Sequence, residues 1–141
     1  MTKIITKDEL KNRLNKIYKK IPEFKCKHCH KCEQDLIIWF KPEEINIRDY
    51  MSKHNIEYIT LSSKEFKKNN KQCPYLKNNR CIIYPVRPIV CRLQGTISEL
   101  PCKYNKNQYM SKKQFATIKK EFNQLLKDID ALGEFYGTLK P

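Results

Sequence analysis

The stretch from Cys73 to Arg92, CPYLKNNRCIIYPVRPIVCR, constrains the fold more than any other part of the chain. It holds three cysteines, three prolines and three arginines in twenty residues. Pro74, Pro85 and Pro88 break any continuous helix, because each removes a backbone donor and disfavours helical backbone at the residue before it. The one apolar run is Cys81-Ile82-Ile83-Tyr84. The segment therefore reads as a turn-rich knot held by something other than a large core. A second cluster lies upstream at Cys26, Cys29 and Cys32, and one more cysteine follows at Cys102. A metal ion or a metal–sulfur cluster is the simplest agent that would tie these together.

The cysteine count narrows the alternatives. Seven is odd, which fits poorly with a closed disulfide framework. The N-terminal stretch MTKIITKDELKNRL has no apolar h-region, so no secretory signal is expected. No stretch approaches the roughly twenty apolar residues of a membrane span. These features place the chain in a reducing cytoplasm, where clustered cysteines point to metal. A chain of 141 residues is expected to form one domain spanning 1–141, with its own core beside the site. The formal charge of +14 is spread along the chain rather than gathered in one block. It favours contact with nucleic acid or anionic lipid, but a solvated lysine-rich surface is the simpler explanation.

Taken in order, the chain opens with Thr6-Lys7-Asp8-Glu9, a capping box for a helix whose stripe is Leu10, Leu14, Ile17 and Ile21. Pro22 ends it. Cys26-Lys27-His28-Cys29-His30-Lys31-Cys32 follows. Two residues between cysteines let both sulfurs reach one metal, and three cysteines in series are a stronger signal than one pair. His28 and His30 sit inside the cluster and are additional candidate ligands. Leu36 to Phe40 reads as a buried strand. Pro42-Glu43-Glu44 opens a helix running to about His54, with its acids facing the helix dipole. His54 reads as a surface residue. Ile56 to Leu61 alternates partly, as a strand would. Ser62 caps a short helix reaching Lys68.

Within the knot, Lys77-Asn78-Asn79-Arg80 forms a turn between Cys73–Leu76 and Cys81–Tyr84, giving a hairpin with a cysteine on each arm. Arg87-Pro88 starts one or two helical turns carrying Cys91. Gly95 breaks the chain, and Cys102 lies in a loop. The last element is a long helix over 111–133, capped by Ser111, with the stripe Phe115, Ile118, Phe122, Leu125, Ile129 and Leu132. Gly133 closes it. The expected fold is a small, mostly helical α+β domain. It has a short hairpin and an irregular cysteine-rich metal-binding region, covered by the long C-terminal helix.

The chain resembles the CxxCxxCC family, the zinc- or iron-chelating domain of YkgJ-like cysteine-cluster proteins. The residues that carry the likeness are Cys26, Cys29 and Cys32, then Pro42-Glu43-Glu44. The later block is Cys73-Pro74-Tyr75-Leu76, Cys81-Ile82-Ile83-Tyr84, Arg87-Pro88 and Cys91-Arg92. The match covers about 24–102. The family's paired cysteine at the end of the first cluster is here Cys32-Glu33, so one ligand of the family pattern is absent. The resemblance implies metal chelation by Cys26, Cys29, Cys32, Cys73, Cys81 and Cys91, and the need for four ligands in the later block makes Cys102 the natural addition. It implies that Arg87 and Arg92, with Tyr84, stand beside the thiolates and offset their charge.

Ligand arithmetic leaves the metal open. Two tetrahedral zinc sites need eight ligands, so His28, His30, a carboxylate or water would complete them. One cubane iron–sulfur cluster uses four cysteines and leaves three. The expected function is a metal-binding protein whose cofactor is zinc, iron or an iron–sulfur cluster. One alternative is an enzyme or redox protein using the cluster, since the family pattern is similar to a segment associated with flagellin lysine methylase. With three glycines, no phosphate-cradling loop is visible. The other alternative is a basic zinc module that binds nucleic acid weakly and without sequence preference.

Overall fold

The computed structural model describes residues 5–23, 37–78, 80–102 and 109–138. Helix α1 is Lys7–Lys19, strand β1 is Ile38–Phe40 and helix α2 is Lys41–Lys53. Helix α3 is Ser63–Lys68. Strands β2 (Leu76–Lys77) and β3 (Arg80–Cys81) form the hairpin. A 3-10 turn at Tyr84–Val86 leads to helix α4, Ile89–Leu93. Helix α5 is Lys112–Asp128 and strand β4 is Phe135–Gly137. The fold is the small, mostly helical α+β arrangement expected from the sequence. No helix among the described residues is long and apolar enough to cross a membrane.

The expected N-caps are in place. Thr6 Oγ1 accepts the Glu9 N–H at 3.1 Å. Ser62 and Glu65 form a reciprocal box, with bonds of 3.1 and 3.2 Å. Ser111 Oγ accepts the Gln114 N–H at 3.0 Å. Each cap satisfies a donor that the first helical turn would otherwise leave unpaired. The Gln114 amide turns instead to α1, donating to the Lys20 carbonyl at 3.2 Å. Ion pairs Lys20–Glu121 and Arg13–Asp128 join the two helices at successive levels, so α1 and α5 run antiparallel. Such surface pairs contribute about 0–1 kcal/mol each and set register more than stability.

Two apolar clusters form among the described residues. The first gathers Leu14, Ile17 and Tyr18 of α1, Ile89 and Leu93 of α4, and Ile118, Phe122 and Leu125 of α5. The second gathers Trp39, Ile47, Met51, Tyr75, Ile83 and Val86. Strand β1 stands between them. Alternate strand residues face opposite ways, so Trp39 enters the second cluster while Phe40 packs on the first. The Phe40 ring meets Phe122 and Phe135 with centroids 5.4 Å from each. The long helix α5 therefore lies over α1 and the Cys91-bearing α4, whereas Cys73 and Cys81 pack against the second cluster.

Several boundaries differ from the sequence reading. Helix α5 stops at Asp128, a turn before Gly133. Asp130 takes φ +54°, and the Ala131 N–H reaches back to the Leu126 carbonyl at 2.8 Å. Ala131 then occupies the core position and Leu132, the last member of the stripe, is 56% exposed. Residues 56–60 stay irregular because a side chain takes the place of a partner strand, and only Leu61 makes a bridge, its N–H donating to the Thr138 carbonyl at 2.6 Å. Tyr75 Oη accepts the Ile59 N–H at 2.7 Å and donates to the Ile59 carbonyl at 3.2 Å. The hairpin ladder is shorter than drawn from sequence, pairing Leu76 with Cys81 and Lys77 with Arg80. Asn78, at φ +50°, supplies the left-handed residue of its tight turn.

Strand β4 is an element the sequence reading lacked. It pairs antiparallel with β1, Ile38 opposite Gly137 and Phe40 opposite Phe135. Thr138, fully buried, locks the end. Its hydroxyl accepts the Ile37 N–H at 2.9 Å and donates to the Ile37 carbonyl at 3.2 Å. Gly137 sits at φ +140°, and a Cβ there would lie 2.2 Å from the Ile37 carbonyl oxygen. Gly137→Ala should therefore separate β4 from β1 and cost about 2 kcal/mol or more of stability, read by chemical denaturation. Gly133→Ala, where a Cβ meets nothing within 4 Å, should cost about half as much.

Candidate metal centre

The cysteine-bearing pieces are short and are shaped by local hydrogen bonds. Cys73 precedes β2, and its carbonyl accepts the Leu76 N–H at 3.0 Å. Cys81 closes β3, and the next amide, Ile82, donates to the Tyr75 carbonyl at 2.9 Å. The hairpin thus sets both side chains against the Trp39–Tyr75 cluster, each partly exposed. Burial pushes the Tyr75 hydroxyl up to about 12, and the nearby Cys73 adds to the effect. Cys91 lies in the middle of α4, between Ile89 and Leu93, whose side chains enter the first cluster. Beyond α4 the chain turns back on itself. The Gly95 N–H donates to the Leu100 carbonyl at 2.6 Å, and Gln94 Nε2 donates to the Pro101 carbonyl at 3.1 Å. That fold-back returns Cys102 toward the end of α4. Cys91 and Cys102 are also partly exposed.

The candidates Cys26, Cys29, Cys32, His28 and His30 lie outside the described residues. Among the described residues no three His, Cys, Asp or Glu side chains are grouped closely enough to hold a metal ion. The structure therefore assembles the later block in parts: Cys73 and Cys81 on the hairpin, Cys91 and Cys102 around α4. The donor chemistry fits zinc or iron, since partly exposed thiols are what those metals take. The buried carboxylates nearby are occupied by hydrogen bonds of their own. His54 is exposed at the end of α2, stacked on Tyr50 with centroids 3.9 Å apart, as expected of a surface residue.

The arginines of the block are hydrogen-bonded to backbone. Arg92 Nε donates to the Arg87 carbonyl at 2.8 Å and Nη2 to the Pro85 carbonyl at 3.0 Å. Its guanidinium lies 3.8 Å from the centre of the Tyr18 ring. Arg87 Nε donates to the Tyr84 carbonyl at 3.1 Å, with its guanidinium 3.7 Å over the Tyr84 ring. Both residues brace the loop through Pro85 and Pro88 that leads to Cys91. Cation–ring contacts of this kind contribute on the order of 0.5–2 kcal/mol.

The pair Glu43-Glu44 is what sequence reasoning missed. Glu43 is fully buried. Its Oε2 accepts the Tyr18 hydroxyl at 2.6 Å and also the Ile89 N–H at the start of α4. Its Oε1 accepts the Phe40 N–H at 3.4 Å. Glu44, also buried, accepts Trp39 Nε1 at 3.0 Å, the Tyr58 hydroxyl at 2.9 Å and Arg48 Nε at 3.2 Å. The first turn of α2 thus places two carboxylates behind the cysteine block, one for each apolar cluster. No local signal marks the pair, because Tyr18 and Tyr58, whose hydroxyls bond these acids, are distant in sequence. On sequence alone that start looks like ordinary dipole compensation.

Burial pushes the Glu43 carboxyl up to about 7, while the Tyr18, Ile89 and Phe40 donors and the Arg92 charge hold it from rising further. An acid with a raised folded pKa binds its proton more tightly when folded. Its contribution to stability is complete below the unfolded value of about 4.5 and is lost as pH rises toward 7. The stability advantage of the wild type over Glu43→Gln should therefore shrink, by an amount on the order of a few kcal/mol, between those values. Parallel denaturation series across that range read it, and an advantage that grows with pH would contradict the assignment. Burial and the bond to Glu43 together push the Tyr18 hydroxyl well above its ordinary value.

The model of the family described as "CxxCxxCC: Putative zinc- or iron-chelating domain" matches residues 25–123. That span includes all seven cysteines, both buried glutamates and the first two-thirds of α5. Comparison with curated proteins found no match, and comparison with solved structures found none either. The family match covers well over half of the chain, and the chain belongs to the CxxCxxCC family of zinc- or iron-chelating cysteine-cluster domains.

Proposed function

We propose that this protein binds zinc or iron through cysteine thiolates, with Cys26, Cys29, Cys32, Cys73, Cys81, Cys91 and Cys102 as the ligand set. The observation that carries the reading is that all seven cysteines fall inside the matched family span. The partial exposure of the four described cysteines supports it, as does the diversion of the buried carboxylates into hydrogen bonds. Glu33 stands where the family carries a further cysteine. Three thiolates from the first cluster fall one short of a closed tetrahedral site, so a ligand from the later block or His28 or His30 completes it. The bound metal would supply loop closure and a fixed arrangement of thiolates. The chain's own part is to hold those thiols reduced, oriented and flanked by Arg87 and Arg92, with Tyr84 alongside.

Because ligands from distant parts of the sequence share coordination, metal binding is also folding free energy. Anaerobic purification with elemental analysis and a visible spectrum tests the reading. Stoichiometric zinc in a colourless protein indicates a structural or transfer site. Iron with sulfide in a brown protein indicates a cluster. Cys81→Ser and Cys91→Ser should each lower metal content and the melting temperature, while His54→Ala should change neither. Full metal occupancy and an unchanged melting transition in both serine variants would remove the later block from the ligand set.

A further inference from the structure

The carboxylate of Glu43 reaches across the fold to the helix that carries Cys91. Helix α4 is five residues long, begins after Pro88 and has no side-chain cap of its own. Its Ile89 N–H is satisfied by Glu43 Oε2, an oxygen that belongs to the first turn of α2. The same oxygen accepts the Tyr18 hydroxyl at 2.6 Å. Arg92, one residue beyond Cys91, lies 3.8 Å over that same Tyr18 ring. Cys91 is therefore bracketed. On one side the backbone at Ile89 is tied to Glu43, and on the other the Arg92 guanidinium is held on the ring that Glu43 binds. A carboxylate with no exposed surface is costly to bury, and a neutral side chain could fill the same volume. We infer that Glu43 is a positioning residue for metal binding. By capping α4 from α2 and holding the Tyr18 platform under Arg92, it fixes where the Cys91 thiol points. The inference rests on the proposed thiolate site.

Glu44 supplies the matched control. It is buried on the same turn of α2, yet its hydrogen bonds go to Trp39 and Tyr58 of the other cluster and to Arg48, and none goes to α4. In Glu43→Gln the amide oxygen can take the place of Oε2, but the Ile89 and Tyr18 bonds it accepts lose their charge assistance, and its Nε2 donor is left facing the Phe40 N–H.

The experiment titrates the reduced full-length protein with Co2+ at pH 8, where Glu43 is ionised, followed by Zn2+ competition. Glu43→Gln should retain the wild-type far-ultraviolet circular dichroism but bind Co2+ about tenfold or more weakly. Its thiolate-to-cobalt charge-transfer intensity should fall by the same share as in Cys91→Ser. Glu44→Gln should keep its affinity within about twofold even where it lowers the melting temperature. If Glu43→Gln fails to fold, Glu43→Asp reads the same quantity. It keeps the charge and, one methylene shorter, still reaches the Phe40 N–H of its own helix start, but draws back from α4. Unchanged affinity and spectrum in Cys91→Ser would remove Cys91 from the ligand set and overturn the inference with it. A loss in Cys91→Ser with none in the Glu43 variant that folds would overturn the positioning role alone. An equal loss in Glu44→Gln would also overturn it, by reducing the effect to general stability.

Discussion

A carboxylate without solvent must be surrounded by donors, and in this protein that requirement falls on Glu43. Its three hydrogen bonds come from α1 (Tyr18), from the end of β1 (Phe40) and from the start of α4 (Ile89). Losing any one donor leaves a buried acceptor short of a partner, at a cost of about 1–3 kcal/mol. The relative placement of those elements is therefore fixed by directional bonds as well as by apolar packing. Ile89 and Leu93 can sit among Ile17, Ile118 and Phe122 only in the orientation that also aims the Ile89 N–H at α2. Helix α5 then covers a surface whose shape has already been set by a polar contact.

The second cluster is built on the same plan with different residues. Glu44 ties the Trp39 indole to Tyr58 and Arg48, and Trp39 packs edge-on against Tyr58 with centroids 6.2 Å apart. The Tyr75 hydroxyl clamps Ile59, and Tyr75 belongs to the hairpin segment that carries Cys73 and Cys81. The hairpin is thus anchored through Tyr75 to the Ile59 backbone and α4 through Ile89 to Glu43, while Cys73, Cys81 and Cys91 remain partly exposed. Rigid support behind reactive side chains is what a metal site needs, because ligands held in place lose less freedom when the metal binds. The supports follow in sequence order. Residues 43 and 44 are consecutive on one helical turn: Glu43 bonds the start of α4, and Glu44 bonds Trp39, on whose ring Tyr75 of the hairpin segment packs.

Much of this was legible in advance where local chemistry decides. Thr6, Ser62 and Ser111 declared the starts of α1, α3 and α5, because an N-cap is recognised from its own side chain. The prolines of the later block confined it to turns and a short helix. The paired asparagines located the hairpin turn. What stayed hidden depends on contacts between distant residues. Phe135-Tyr136-Gly137 is a strand only because β1 is there to pair with it. Leu132 continues the apolar stripe of α5 in sequence, but the left-handed Asp130 ends the helix first and Ala131 turns inward. Residues 56–61 alternate like a strand, yet a tyrosine hydroxyl takes the bonds at Ile59 that a neighbouring strand would have made. Glu43 and Glu44 looked like dipole compensation at a helix start, since nothing local distinguishes an exposed acid there from a buried one. The cysteine pattern pointed to thiolate chemistry on spacing alone. How α4 is held required the fold.

A buried carboxylate that caps α4 from another helix leaves a direct trace in amide hydrogen exchange of the native protein. Ile89 is the first residue of a five-residue helix and would exchange rapidly if α4 were held by side-chain packing alone. With its N–H bonded to Glu43 in a site that excludes water, it should be protected to the level of α5 core amides such as Phe122. Exchange of Ile89 as fast as that of the exposed loop amides around Asn70 would show that Glu43 does not cap α4.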